Sequence, residues 1–295
     1  MINRLETKIL IVSICFTMII LFYFGNLFVR DIKNQFLLFL LPLVWPGLAH
    51  GSLDLKIAKR IKLIKKKWDY LYFFFSYIFL ASSLVFIWII NAEIAMSIFI
   101  LVSIVHFGMS DTLIQQKKLT YFLDVFIRGS IPISISTVFF QDDVSQIFRT
   151  LFLSEAYIGL AMNVFKLNMF PMVVAVLIQI YFKKKLYFES LYEISIISFC
   201  FLFFEPLIAF AIYFCFLHSL RHLFNEKKKL NLSLSETFIQ TLPITLISFL
   251  SLCFVYSFID FTSTAFEYIT ILFISLASLT IPHMVLVYIE KISKT

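Results

Sequence analysis

Five histidines, His50, His106, His218, His222 and His283, are the residues of this chain best suited to holding a metal ion, and all five fall inside apolar runs. Imidazole is a neutral donor that suits iron, zinc, copper and nickel alike. Each histidine stands a few helical turns before lysines: His50 before Lys56, His106 before Lys117, His222 before Lys227, His283 before Lys291. If those lysines mark the cytoplasmic side, the five imidazoles share one layer in the cytoplasmic half of a bilayer. Several helices delivering imidazoles to one depth is what a metal site in a helical bundle requires. His218 and His222, at i and i+4, are placed by helical periodicity on one face, so one helix supplies two ligands. A lone intramembrane histidine reads as an interhelical hydrogen-bonding group; five at one depth read as a metal site.

Two carboxylates accompany them. Asp54 follows His50 by four residues and Asp111 follows His106 by five, in the rhyming segments HGSLD and HFGMSD. A carboxylate near a helix C-terminus is disfavoured by the helix dipole, so each needs a partner. That partner is either a metal-ligating imidazole, which commonly donates its second N–H to a carboxylate, or a nearby lysine such as Lys56 or Lys117. Gly51 and Gly108 would permit close backbone approach beside the site. Arg221 points away from His218 and His222 by helical geometry, and either snorkels to the inner headgroups, the simpler reading, or holds a carboxylate. Asp124 and Arg128, at i and i+4, are expected to neutralise each other. Cys15, Cys200, Cys215 and Cys253 form no C-x-x-C pair, which argues against a disulfide framework or a zinc ribbon.

The elements that must position these residues are membrane helices. Of 295 residues, 61% are hydrophobic and only 15% are charged, against about 25% charged in soluble domains; the mean hydropathy is +0.94. This composition excludes a secreted enzyme, a nucleic-acid-binding module and a disordered chain. Apolar runs long enough to span a bilayer, about 17–25 residues, occur ten times: near 8–28, 35–55, 69–90, 94–114, 120–140, 155–181, 187–204, 206–224, 236–258 and 264–289. Pro206 separates the seventh and eighth. The sixth is interrupted by Asn163, Lys166 and Asn168, so 144–165 is alternatively an interfacial amphipathic helix. Lys and Arg crowd the loops on one side and spare the other, where Arg30, Lys33 and Arg149 stand. The expected fold is therefore an all-α, polytopic bundle of about ten transmembrane helices with both termini cytoplasmic, a single integral membrane domain over 1–295. The thirty-eight phenylalanines and thirteen tyrosines face lipid or other helices in the main, and some could line a tunnel for a rigid apolar substrate.

Taken together, His50-Gly51-Ser52-Leu53-Asp54, His106-Phe107-Gly108 with Asp111, His218-Ser219-Leu220-Arg221-His222 and Pro282-His283 resemble the Brp/Blh family. These are the membrane-embedded β-carotene 15,15'-dioxygenases associated with microbial rhodopsins. The blocks stand in the family's order. The resemblance implies Fe(2+) held by His50, His106, His218 and His222, and cleavage of β-carotene by O2 at the central double bond to two retinal molecules. His283, Asp54 and Asp111 then surround the ligands, with the choice of four among five histidines open. It also implies a multi-pass protein of the inner (plasma) membrane, in contact with lipid, with a functional link to a microbial rhodopsin and none to nucleic acid. Ser52 departs mildly from the alanine common there. A rival reading is an intramembrane divalent-metal transporter. It requires polar residues continuing to the outer face, and the outer halves of the even-numbered spans are almost purely apolar. A non-catalytic assembly factor would give the histidine layer no purpose.

Overall fold

The structure, a computed structural model, describes residues 4–28, 35, 40, 42–114, 119–182, 185–257 and 266–293. Every regular element among them is helical. That accords with the composition, because a backbone N–H or C=O in hydrocarbon must find its partner within its own segment. The helices are α1 (Leu5–Phe28), α2 (Asp54–Arg60), α3 (Lys67–Ile90), α4 (Ala92–Asp111), α5 (Leu119–Phe139), α6 (Gln141–Thr150), α7 (Glu155–Tyr181), α8 (Lys185–Phe203), α9 (Pro206–Lys229), α10 (Leu234–Ser257) and α11 (Phe266–Ile292). Eight of them, among the described residues, are long and apolar enough to cross a membrane: α1, α3, α4, α5, α7, α9, α10 and α11.

Most boundaries fall where the apolar runs place them. Glu205 is extended (φ −53, ψ 149) and Pro206 opens α9, as expected of a residue before proline. The sixth span is one uninterrupted helix, and the amphipathic element is the separate, short α6 before it. The second span differs from expectation. Residues 36–39 and 41 lie outside the described ones, and a π-helical turn (Leu43–Gly47) and a 3-10 turn (Leu48–Leu53) then lead into α2. Pro42 and Pro46 explain the break: each removes an N–H donor, and Trp45 is driven to φ −144, ψ 122, the extended region imposed by a following proline. His50 therefore stands on a 3-10 turn.

The chain comprises two compact units: Met1–Gly47 with Ser103–Phe224, and Leu48–Val102 with Asn225–Thr295. In the first, α5 packs along α7 and α8, and α1 lies against the π-helical turn of α9 at Phe214–Ser219. The end of α4 meets α5 at a glycine crossing. A Cβ on Gly108 would come within 2.1 Å of the Val125 carbonyl oxygen, and one on Gly129 within 2.0 Å of the Ile104 oxygen, so the two backbones touch directly. Small residues at such crossings are how membrane helices gain contact without a hydrophobic driving force. In the second unit α11 packs along α3, and α10 packs against Leu48–Leu53. Ile57, Ala58, Ile64 and Leu286 form a small buried cluster where α2 meets α11.

Candidate metal centre

Each unit holds a pair of imidazoles in edge-on contact. In the first unit His106, on α4, and His218, in the π-helical turn of α9, have ring centroids 5.0 Å apart and planes at 72°. Both are buried. Asp111, closing α4, is fully buried; its Oδ2 lies 3.3 Å from His218 Nδ1 and accepts the Tyr213 hydroxyl at 2.6 Å. Phe107 meets the His218 ring edge-on at 4.7 Å and Phe214 stacks on it at 5.9 Å. His222 follows one turn later on α9, half-buried. A π-helical turn adds a residue to the local winding and is frequent at functional sites.

The second unit repeats the arrangement. His50 and His283, on α11, have centroids 4.9 Å apart at 86°. Asp54, the first residue of α2, places Oδ1 2.8 Å and Oδ2 3.0 Å from His283 Nδ1, and accepts the Tyr77 hydroxyl at 3.0 Å. In both units the aspartate that follows one histidine in sequence holds the ring of the other, from a distant helix, and is itself held by a tyrosine. Of the two partners foreseen for Asp54 and Asp111, the structure therefore supplies imidazole. Lys56 instead bonds Gln240, and Lys117 lies outside the described residues. His283, expected behind the ligands, is fixed by Asp54 as His218 is by Asp111.

A third layer supports Asp111. Arg221 does not snorkel: it is buried, donates to the Asp111 main-chain oxygen at 2.8 Å and to Glu193 Oε2 at 2.7 Å, and its Nη1 lies 3.6 Å from Asp111 Oδ1. Glu193 on α8 also accepts Arg128 at 2.6 Å and Thr7 at 2.6 Å. Arg128 bonds Asp124 at 2.9 Å and Ser190 at 2.8 Å, and is itself fully buried. The pairing of Asp124 with Arg128 read from the sequence is present, but as one edge of a network that joins, among the described residues, two guanidinium groups to the carboxylates of Asp111, Asp124, Glu193 and Glu6. Charges are retained at such depth only when paired in this way. Glu193, a carboxylate in mid-span, carried the signal for this network; Tyr77 and Tyr213 were camouflaged by the abundance of aromatic residues.

The donor chemistry fits a divalent transition metal. A carboxylate at Nδ1 accepts a hydrogen bond from the N–H there, which fixes the tautomer and ring plane and leaves Nε2 free to ligate with raised basicity. His218 and His283 are both held this way. Imidazole ligands suit iron, zinc, copper and nickel alike.

A protein-family model described as "Beta-carotene 15,15'-dioxygenase" matches residues 41–289. A curated protein named "Beta-carotene 15,15'-dioxygenase", from Uncultured marine bacterium 66A03, is 27% identical over 249 residues, covering 83% of this chain and 90% of its own length. No solved structure matches. The matched residues hold both imidazole pairs and both aspartate clamps, and the chain belongs to the β-carotene 15,15'-dioxygenase family of enzymes.

Proposed function

We propose that the chain cleaves β-carotene with O2 at the central 15,15' double bond, giving two retinal molecules, at a ferrous ion held by His50, His106, His218 and His222. The observation that carries the reading is the buried His106–His218 pair with Asp111 at the Nδ1 of His218, in a chain of this family. Iron, when bound, supplies the activation of O2 that the organic groups of the protein lack. The remaining work belongs to the chain. Asp111 with Tyr213, and Asp54 with Tyr77, hold imidazoles in a fixed tautomer, and loss of such a partner typically weakens metal binding about 10–100-fold. Phe107 and Phe214 keep the His218 ring dry. The reaction balances without a reductant: one C=C is broken, two C=O are formed, and both oxygen atoms come from one O2.

β-Carotene dissolves only in the bilayer, so the enzyme acts as one integral membrane domain over 1–295, multi-pass in the inner membrane with both termini cytoplasmic. Substrate enters and retinal leaves through lipid. A microbial rhodopsin is the natural consumer of that retinal. The polyene has no polar handle, so the cleaved bond is chosen by how far the apolar walls admit the substrate. Expression in cells that accumulate β-carotene tests the proposal: loss of colour with appearance of retinal is expected, and unchanged pigment from a chain that inserts would refute it. His218→Ala and His222→Ala should each leave the pigment intact and remove iron from the purified protein.

A further inference from the structure

Between α3 and α11, wholly within the second unit, runs an apolar groove of about 270 Å³. Its α3 wall is a single helical stripe, from Asp69 through Phe73 and Tyr77 to Leu80, and its α11 wall runs from Pro282 to Ile289. Asp69 to Leu80 is eleven helical steps of about 1.5 Å, which makes it roughly 16 Å long. Two features distinguish it from the shallow furrows of any lipid-facing helix pair. It ends beside chemistry: Tyr77 in its wall donates to Asp54, which holds His283, and Pro282 in the opposite wall directly precedes His283. It is also lined by rigid rings, Tyr72, Phe73 and Tyr77, which suit a flat conjugated chain better than a flexible acyl chain.

We propose that this groove is a substrate subsite that seats one half of the carotenoid, from its ring to near the central bond, and so sets which bond is cut. The assignment rests on the proposed function for the identity of the ligand. A groove roughly 16 Å long that runs past Tyr77 holds a rigid half-polyene with its inner end toward the Asp54–His283 side. Ser76, exposed in the α3 wall, is where an added ring would fill it. Ile78, exposed on the neighbouring face of α3 and absent from the lining, is the control.

The test uses full-length protein in nanodiscs and measures β-carotene binding by iron-free protein separately from turnover by iron-loaded protein. Ser76→Phe is expected to weaken β-carotene binding about tenfold and to raise KM similarly, or to shift cleavage to unequal apocarotenals, with iron content unchanged. Val285→Phe, filling the groove from α11, should act alike if Ser76→Phe fails to fold, and Ile78→Phe should behave as wild type. Wild-type binding that Ser76→Phe abolishes, without turnover in either, would uphold the groove and sink the proposed reaction. Wild-type turnover with binding, KM and products unchanged in both groove variants would overturn the groove and leave the reaction standing. Displacement of a co-purified phospholipid by Ser76→Phe with carotenoid binding intact would equally overturn it, assigning the groove to an acyl chain.

Discussion

Gly51 and Gly108 stand beside the two halves of the rhyme HGSLD and HFGMSD, and replacing each by alanine should have opposite consequences. A Cβ on Gly51 meets nothing within 4 Å. On Gly108 it would lie 2.1 Å from the Val125 oxygen and 2.8 Å from the Val125 carbonyl carbon, where ordinary contact begins at 3.4 Å. The obstacle is backbone, so relief requires α4 and α5 to part by about 1 Å, which forfeits a quarter to a half of each contact's dispersion energy along the crossing. Forced overpacking of this kind costs about 1–3 kcal/mol, occasionally more, and the reciprocal contact of Gly129 on Ile104 puts Gly108→Ala at the upper end. Because His106 and Asp111 flank the crossing, the shift should also loosen iron. Thermal unfolding and iron content in nanodiscs provide the assay. Gly51→Ala should stay within about 0.5 kcal/mol of wild type and keep its iron. Equal stability and equal iron in the two variants would refute the close-approach reasoning.

Arg128→Met should cost about 3–5 kcal/mol, the penalty for stranding buried partners, because Asp124 loses the guanidinium at 2.9 Å and Glu193 is left with Arg221 alone of its two; a loss of only about 0.5 kcal/mol, the worth of an isolated i,i+4 pair, would show that the network is not closed in the folded protein. At the loop end of the first unit, burial and then the neighbouring Asp142 raise the Asp143 carboxyl, and burial and then Asp143 raise that of Glu205. A raised folded-state value gives stability that is present at low pH and lost as pH rises through it. The unfolding midpoint should therefore fall, as pH rises above the ordinary carboxylate range of about 4, more steeply in wild type than in Glu205→Gln, and parallel curves would contradict the shift. Reporter fusions after Ile61 and after Lys185 should both behave as cytoplasmic; a periplasmic signal from either would overturn the orientation.

Much of the fold was legible because the bilayer leaves an apolar run one option, and lysine placement reports its ends. The breaks were legible where proline made them: Pro206 as foreseen, Pro42 and Pro46 only in retrospect, since the run over 35–55 is apolar throughout. The histidines and aspartates could be found by type and spacing, but not who holds whom. Sequence proximity suggested Lys56 for Asp54 and headgroups for Arg221, whereas the actual partners, His283 and Glu193, lie 229 and 28 residues away. Pairings between helices depend on rotation and depth, which periodicity alone does not fix. Gly51 and Gly108 look equivalent in sequence and differ in the fold because only one faces a neighbouring backbone.

The central claim is a balanced dioxygenase reaction at the middle of the polyene. Purified protein loaded with Fe(2+), given β-carotene and labelled O2 without NADPH, flavin or other reductant, should yield two retinal molecules per β-carotene. Each should carry one atom from the same O2 after correction for exchange of aldehyde oxygen with water. Label in only half of the aldehyde oxygens, a requirement for added reductant, or unequal apocarotenal fragments would contradict it.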